Sequence, residues 1–153
     1  MELVLFIGIP ATGKARFYRE RLFRTHVRVS FDMLKSKNRE QLLVSACLNG
    51  ETAFVVDHTN LTREERARYI NPARTARFAV HGYFFQSNVS EALARNASRE
   101  VSERISEFAI RGARGRLEMP SLNEGFNRLH FVRLDARDQF VVEPWKEDHS
   151  LAN

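Results

Sequence analysis

Apolar positions run without interruption from Leu3 to Ile7 and stop at Gly8 and Pro10, which predicts a strand buried on both faces in a parallel sheet. The spacing then changes. From Lys14 to Phe23, the residues Phe17, Tyr18, Leu22 and Phe23 recur at helical intervals among Arg and Glu, predicting a helix with one face on that sheet. Val27 to Val29 predicts a short second strand. Arg39 to Leu48 predicts an amphipathic helix closed by Asn49 and Gly50, since glycine accepts the left-handed conformation of a helix stop. Ala53 to Val56 predicts a third buried strand, and Thr62 with Glu65 forms a capping box for a helix running through Ala76. Phe78 to Phe85 predicts a fourth strand. Beyond it, Val89 to Ala113 reads as helical with a break near Val101 and Ser102, and Leu129 to Leu134 with Phe140 to Val142 as a late strand pair.

Strands alternating with helices argue for an α/β fold of three layers, a central mostly parallel sheet with helices on both faces and a helical lid over about 88–115. One domain over 1–146 accounts for this pattern, with a polar, frayed tail at 147–153. Charge adds a tendency rather than a function: 24 Lys and Arg against 19 Asp and Glu give a net +5, a surface that attracts nucleotides or nucleic-acid backbone. The single cysteine, Cys47, lies in an apolar run and reads as core; it cannot form an internal disulfide, which fits a cytoplasmic location. No stretch approaches the roughly 18 apolar residues of a membrane span, and the N-terminus leads into a glycine motif rather than a cleavage site.

That glycine motif carries the most specific chemistry. Gly8, Ile9, Pro10, Ala11, Thr12, Gly13 and Lys14 spell G-x-x-x-x-G-K between a buried strand and a helix, the context of a phosphate-binding loop. Glycines let the backbone wrap a phosphate, helix N-terminal amides point at it, and Lys14 brings a positive charge toward the β- and γ-phosphates. The next position departs from the motif. Ala15 stands where Ser or Thr supplies a hydroxyl to magnesium, and alanine cannot ligate a metal. Losing one such stabiliser costs on the order of 3 kcal/mol in the transition state.

Four segments in order, GIPATGK, SFDMLK, VVDHTN followed by TREERARYI, and ARNASRE, resemble the kinase domain of polynucleotide 5′-kinases, within the larger family of P-loop NTPases and kinases. The resemblance is direct from Gly8 to Arg99 and weaker beyond. It implies that Gly8, Pro10, Ala11, Thr12, Gly13, Lys14 and Ala15 bind ATP, with Lys14 also catalytic, and that Asp32 is the general base taking the proton of a 5′-hydroxyl. A carboxylate at the carboxyl end of a parallel strand faces the crevice where ligands of such sheets bind, although Asp32 equally reads as a helix N-cap. Lys35 falls where the family has a basic contact to the acceptor phosphate. Asp57 resembles a Walker B acid that positions the acceptor or holds magnesium through water; His58 and Asn60 become acceptor-side contacts. Arg95 and Arg99, four apart, share a face if both are helical, and in the family such lid arginines contact the triphosphate and stabilise the transferring group, Arg99 being taken as catalytic.

Taken together, the resemblance implies an ATP- and magnesium-dependent phosphotransferase acting on the 5′-hydroxyl end of DNA or RNA. A kinase of a small-molecule hydroxyl uses the same loop, base and lid, and Ala15 leaves room for a nucleotide-binding protein with weakened or lost catalysis. The phenylalanines, Phe126 and Phe131 included, read as core or as base-stacking platforms, and RGARGR, Arg111 to Arg116, as a backbone-tracking cluster or an exposed helix end.

Overall fold

The computed structural model describes residues 1–146; the expected tail at 147–153 lies outside them. Six strands form one sheet: β1 (Glu2–Ile7), β2 (Val27–Val29), β3 (Phe54–Val56), β4 (Ala79–Phe85), β5 (Arg128–Leu134) and β6 (Phe140–Pro144). Their order is β2-β3-β1-β4-β5-β6, parallel throughout except for the antiparallel β5–β6 pair. The helices are α1 (Lys14–Arg21), α2 (Phe31–Leu34), α3 (Lys37–Asn49), α4 (Arg63–Thr75), α5 (Val89–Ala97) and α6 (Glu107–Arg116), with short 3₁₀ turns at Val101–Glu103 and Leu122–Glu124.

Alternation along β1 decides the layering. Leu3, Leu5 and Ile7 face Cys47 of α3 and Ile70 and Ala73 of α4, whereas Val4 and Phe6 face Phe17 and Tyr18 of α1. Each large apolar side chain so buried contributes about 1.5–3 kcal/mol. The three-layer α/β expectation therefore holds. Phe23 does not belong to the packing face of α1, which ends at Arg21 and leaves Phe23 67% exposed.

One further detail differs from the sequence reading. The Thr62 hydroxyl accepts from the Glu65 amide at 3.1 Å, but the Glu65 carboxylate takes the Leu61 amide at 2.9 Å, one residue before the expected partner. Phe126 and Phe131 are buried in the core, so neither offers a free face for a base.

A third apolar cluster joins the lid to the glycine loop. Ile9 and Ala11 pack with Leu61, Ala92 of α5, and Ile110 and Ala113 of α6. The lid is thus docked on the loop rather than standing away from it.

Candidate functional site

The loop between β1 and α1 takes a shape that its residues demand. Gly8 sits at φ 149°, and a Cβ there would lie 3.0 Å from the Phe85 carbonyl oxygen; Gly13 sits at φ 93°, where a Cβ would lie 3.0 Å from the Phe140 ring. The Gly8 amide donates to the Thr59 carbonyl at 2.9 Å and the Ile9 amide to the buried Ser87 hydroxyl at 3.1 Å, tying the loop to the ends of β3 and β4. The N-terminus of α1 therefore opens on a cavity of about 910 Å³.

Lys14 lies over this loop. Its ammonium donates to the Gly8 carbonyl at 2.9 Å, the Ile9 carbonyl at 2.6 Å and the Thr12 hydroxyl at 3.3 Å. Burial pulls its pKa down to about 8; the Asp57 carboxylate pushes it up and Arg99 pulls it further down. An anionic phosphate brought to the loop would satisfy this strained cation better than carbonyl dipoles do.

Pro10, Ala11, Thr12, Gly13, Lys14, Ala15, Asp32, Asp57, His58, Asn60 and Arg99 all line the one cavity, so the sheet brings most of the expected residues together. Their settings differ from expectation. Asp32 lies not at the end of β2 but in the first turn of α2, exposed, and the N-cap of that helix is Ser30. Lys35 is the left-handed C-cap of α2 and does not line the cavity, whereas Lys37 does. The Asn60 amide is spent on the Phe6 carbonyl at 2.7 Å, and the residue is buried at φ 44°, so it builds the turn after β3.

Arg95 and Arg99 do not share a helical face. α5 stops at Ala97, because the Asn96 side chain donates to the Ile105 carbonyl at 2.6 Å and accepts from the Ile105 amide at 3.0 Å, turning the chain back. Arg95 then reaches the Ala11 carbonyl at 2.6 Å, where chiefly burial lowers its pKa, and it braces the loop from behind. Arg99 alone of the pair lines the cavity. In the cluster from Arg111 to Arg116, Arg111 pairs with Glu107 and Arg116 with Glu65, the latter linking α6 to α4.

Residues that the sequence reading passed over complete the far wall. The Glu40 carboxylate accepts from His58 at 2.8 Å and from the Tyr69 hydroxyl, and burial, then this bond, raises the Tyr69 pKa. His58 packs between the rings of Phe31 and Tyr69. Gln41, Val44, Ser45 and Leu48 of α3 face Arg68, Tyr69 and Pro72 of α4 across the same cavity. One signal for this wall was in the sequence: Glu40 precedes Val44 and Cys47 on the apolar stripe of α3, an acidic residue where an apolar one belongs.

Asp57 is the other surprise. Its carboxylate accepts a hydrogen bond from Arg28 Nε of β2 at 2.9 Å and lies 2.8 Å from Nη2 of the same guanidinium, and its side chain is only 7% exposed. With Ala15 offering a methyl group and Thr12 donating its hydroxyl to the Ile9 carbonyl at 3.0 Å, the residues around the loop do not fit a protein-held magnesium ion. Among the described residues there is no group of three or more His, Cys, Asp or Glu suited to a metal, and no helix long and apolar enough to cross a membrane.

Comparison with known proteins agrees with this architecture. The model of the AAA domain family matches residues 32–120. A bifunctional polynucleotide phosphatase/kinase of Schizosaccharomyces pombe is 27% identical over 135 residues, which are 86% of this chain and 33% of that protein. The transcription factor bHLH140 of Arabidopsis thaliana is 28% identical over 149 residues, 88% of this chain and 16% of that protein, so the chain spans a third or less of these relatives. Among solved structures, Kti12 of Chaetomium thermophilum in complex with ADP-AlF3 superposes with a TM-score of 0.66 at 16% identity, covering 98% of this chain and 94% of that one. A gluconokinase from Sinorhizobium meliloti 1021 gives 0.61 at 15% identity over 86% of this chain and 82% of that one. At these identities the structural likeness is one of fold, and the family match covers more than half of the 153 residues. The chain belongs to the AAA domain family, as a P-loop kinase-like member.

Proposed function

We propose that this protein transfers the terminal phosphate of ATP to the 5′-hydroxyl of a DNA or RNA end. The observation that carries the reading is that Lys14 and its loop line one cavity with Asp32, together with the kinship to a polynucleotide phosphatase/kinase. ATP phosphates enter the loop and draw the Lys14 ammonium off the carbonyls of Gly8 and Ile9. Arg99, at the lid side of the cavity, meets the charge on the transferring group.

Asp32 takes the proton of the acceptor hydroxyl as its oxygen bonds to the γ-phosphorus, and the bond from that phosphorus to the β-phosphate oxygen breaks, releasing ADP. The acceptor chain lies along the α3–α4 wall, where Lys37 and Arg68 take over the phosphate contact expected of Lys35. His58, held by Glu40, contacts the acceptor from the turn after β3.

The test is transfer of labelled phosphate from ATP to short 5′-hydroxyl DNA and RNA. Transfer should vanish in Lys14→Ala and fall on the order of a hundredfold in Asp32→Asn, with ATP binding by the latter unchanged. A parent protein and an Ala15→Ser variant that both bind ATP yet label no oligonucleotide would overturn the polynucleotide acceptor. Labelling of a polyhydroxy acid instead would make the protein a small-molecule kinase.

A further inference from the structure

We infer that this chain holds its nucleotide without a magnesium ion ligated by the protein, the Arg28–Asp57 ion pair standing in front of the phosphate loop where a metal-ordering carboxylate would otherwise be free. The inference rests on the phosphate-loop part of the proposed function and on observations from different parts of the chain. Ala15, the second residue of α1, has no lone pair to offer. The Thr12 hydroxyl is buried and built into the loop, donating to the Ile9 carbonyl and accepting from Lys14, so it does not substitute.

Asp57, the carboxylate whose charge acts on Lys14, accepts a hydrogen bond from Arg28 Nε on Oδ2 and has Nη2 of the same guanidinium at 2.8 Å from that oxygen. A divalent cation or its water shell brought to that carboxylate would have to displace the guanidinium or approach a like charge in a largely buried setting. β2 lies beside β3 in parallel register, with Arg28 opposite Val55, so the sheet itself delivers Arg28 to the end of β3. The cavity already carries cations on several sides, from Lys14, Arg28 and Arg99 near the loop to Lys37 and Arg68 beyond. Nucleotide charge that magnesium would neutralise is therefore met by side chains, and any magnesium enters only as a counter-ion carried by ATP.

This predicts a binding behaviour that can be read apart from turnover. Calorimetric titration of the full chain with ATP should give dissociation constants within about threefold in magnesium and in excess EDTA. Chelation should change ATP binding by Ala15→Ser alone no more than it changes that of the parent, because Arg28 still occupies Asp57. The double variant Ala15→Ser with Arg28→Gln restores a hydroxyl and frees the carboxylate, and its ATP binding should weaken by about tenfold on chelation, with a melting curve confirming that it is folded.

Parent binding that weakens tenfold or more in EDTA overturns the inference and leaves the nucleotide site standing. A folded double variant as indifferent to EDTA as the parent overturns the assignment to Ala15 and Arg28. Absence of ATP binding in both conditions overturns the nucleotide site and this inference with it.

Discussion

On the loop side of the cavity, side chains reach partners a few residues away: Lys14 bonds to Gly8, Ile9 and Thr12, and Thr12 to Ile9. On the opposite wall the partners come from distant parts of the chain, Glu40 with His58 and Tyr69. The first kind of site is a local backbone shape completed by Lys14 and tied down by Ser87 and Arg95. The second exists only once the sheet has its strand order and α3 lies against α4. A loop of the first kind should therefore tolerate side-chain changes without unfolding, whereas the second depends on its buried pairs.

Arg66 tests the second half of that statement most severely. It is 0% exposed, donates to both Glu124 carboxylate oxygens at 2.8 and 3.2 Å, and also to the carbonyls of Asn60 and Leu61. It thereby holds the turn that carries His58 and Asn60. Arg66→Ala leaves the largely buried Glu124 carboxylate with only the Ser121 amide as a partner and should cost about 3–5 kcal/mol in urea unfolding. A loss below about 1 kcal/mol would mean that the turn is held by its backbone alone.

The loop side makes a contrasting prediction, in which charge rather than stability changes. Lys14 in the free protein titrates at about 8. A bound phosphate raises that value, so the contribution of the ammonium to ATP affinity is fully present below pH 8 and is lost as pH climbs above it toward the higher bound-state pKa. Affinity should fall by up to about tenfold per pH unit in that window. Lys14→Arg, charged at all these pH values, should show a flat profile in the same titration. A parent profile that is equally flat would remove Lys14 from the phosphate contact.

The same division explains what could be read in advance. Gly13 and Lys14 were legible because a phosphate loop is a local code set between a buried strand and a helix. The sheet was legible because strands such as Leu3 to Ile7, covered on both faces, are continuously apolar. Asp32 lines the cavity that the loop opens on, but from α2 rather than from the end of β2, since α2 has only 4 residues and periodicity has no room to show it. Helical spacing was carried past Ala97 to Arg99 because the break is made by Asn96 bonding to Ile105, a contact no local pattern reveals. Arg28 opposite Asp57 follows from β2 lying beside β3, and only the folded chain states that order.

The finest distinction between the two sides falls on Glu40. Its carboxylate organises His58 and Tyr69 without touching the loop, and Glu40→Gln keeps its size while exchanging one acceptor oxygen for a donor amide. The amide accepts at only one position, so His58 keeps its bond only by switching to the tautomer in which Nε2 accepts, and its orientation in the wall changes. If the wall seats the acceptor, the oligonucleotide KM should rise by roughly three- to tenfold while kcat and ATP affinity stay as in the parent. If kcat falls instead and KM is unchanged, Glu40 acts through His58 on the transfer step itself, and the wall shares in the chemistry that the loop side was taken to hold.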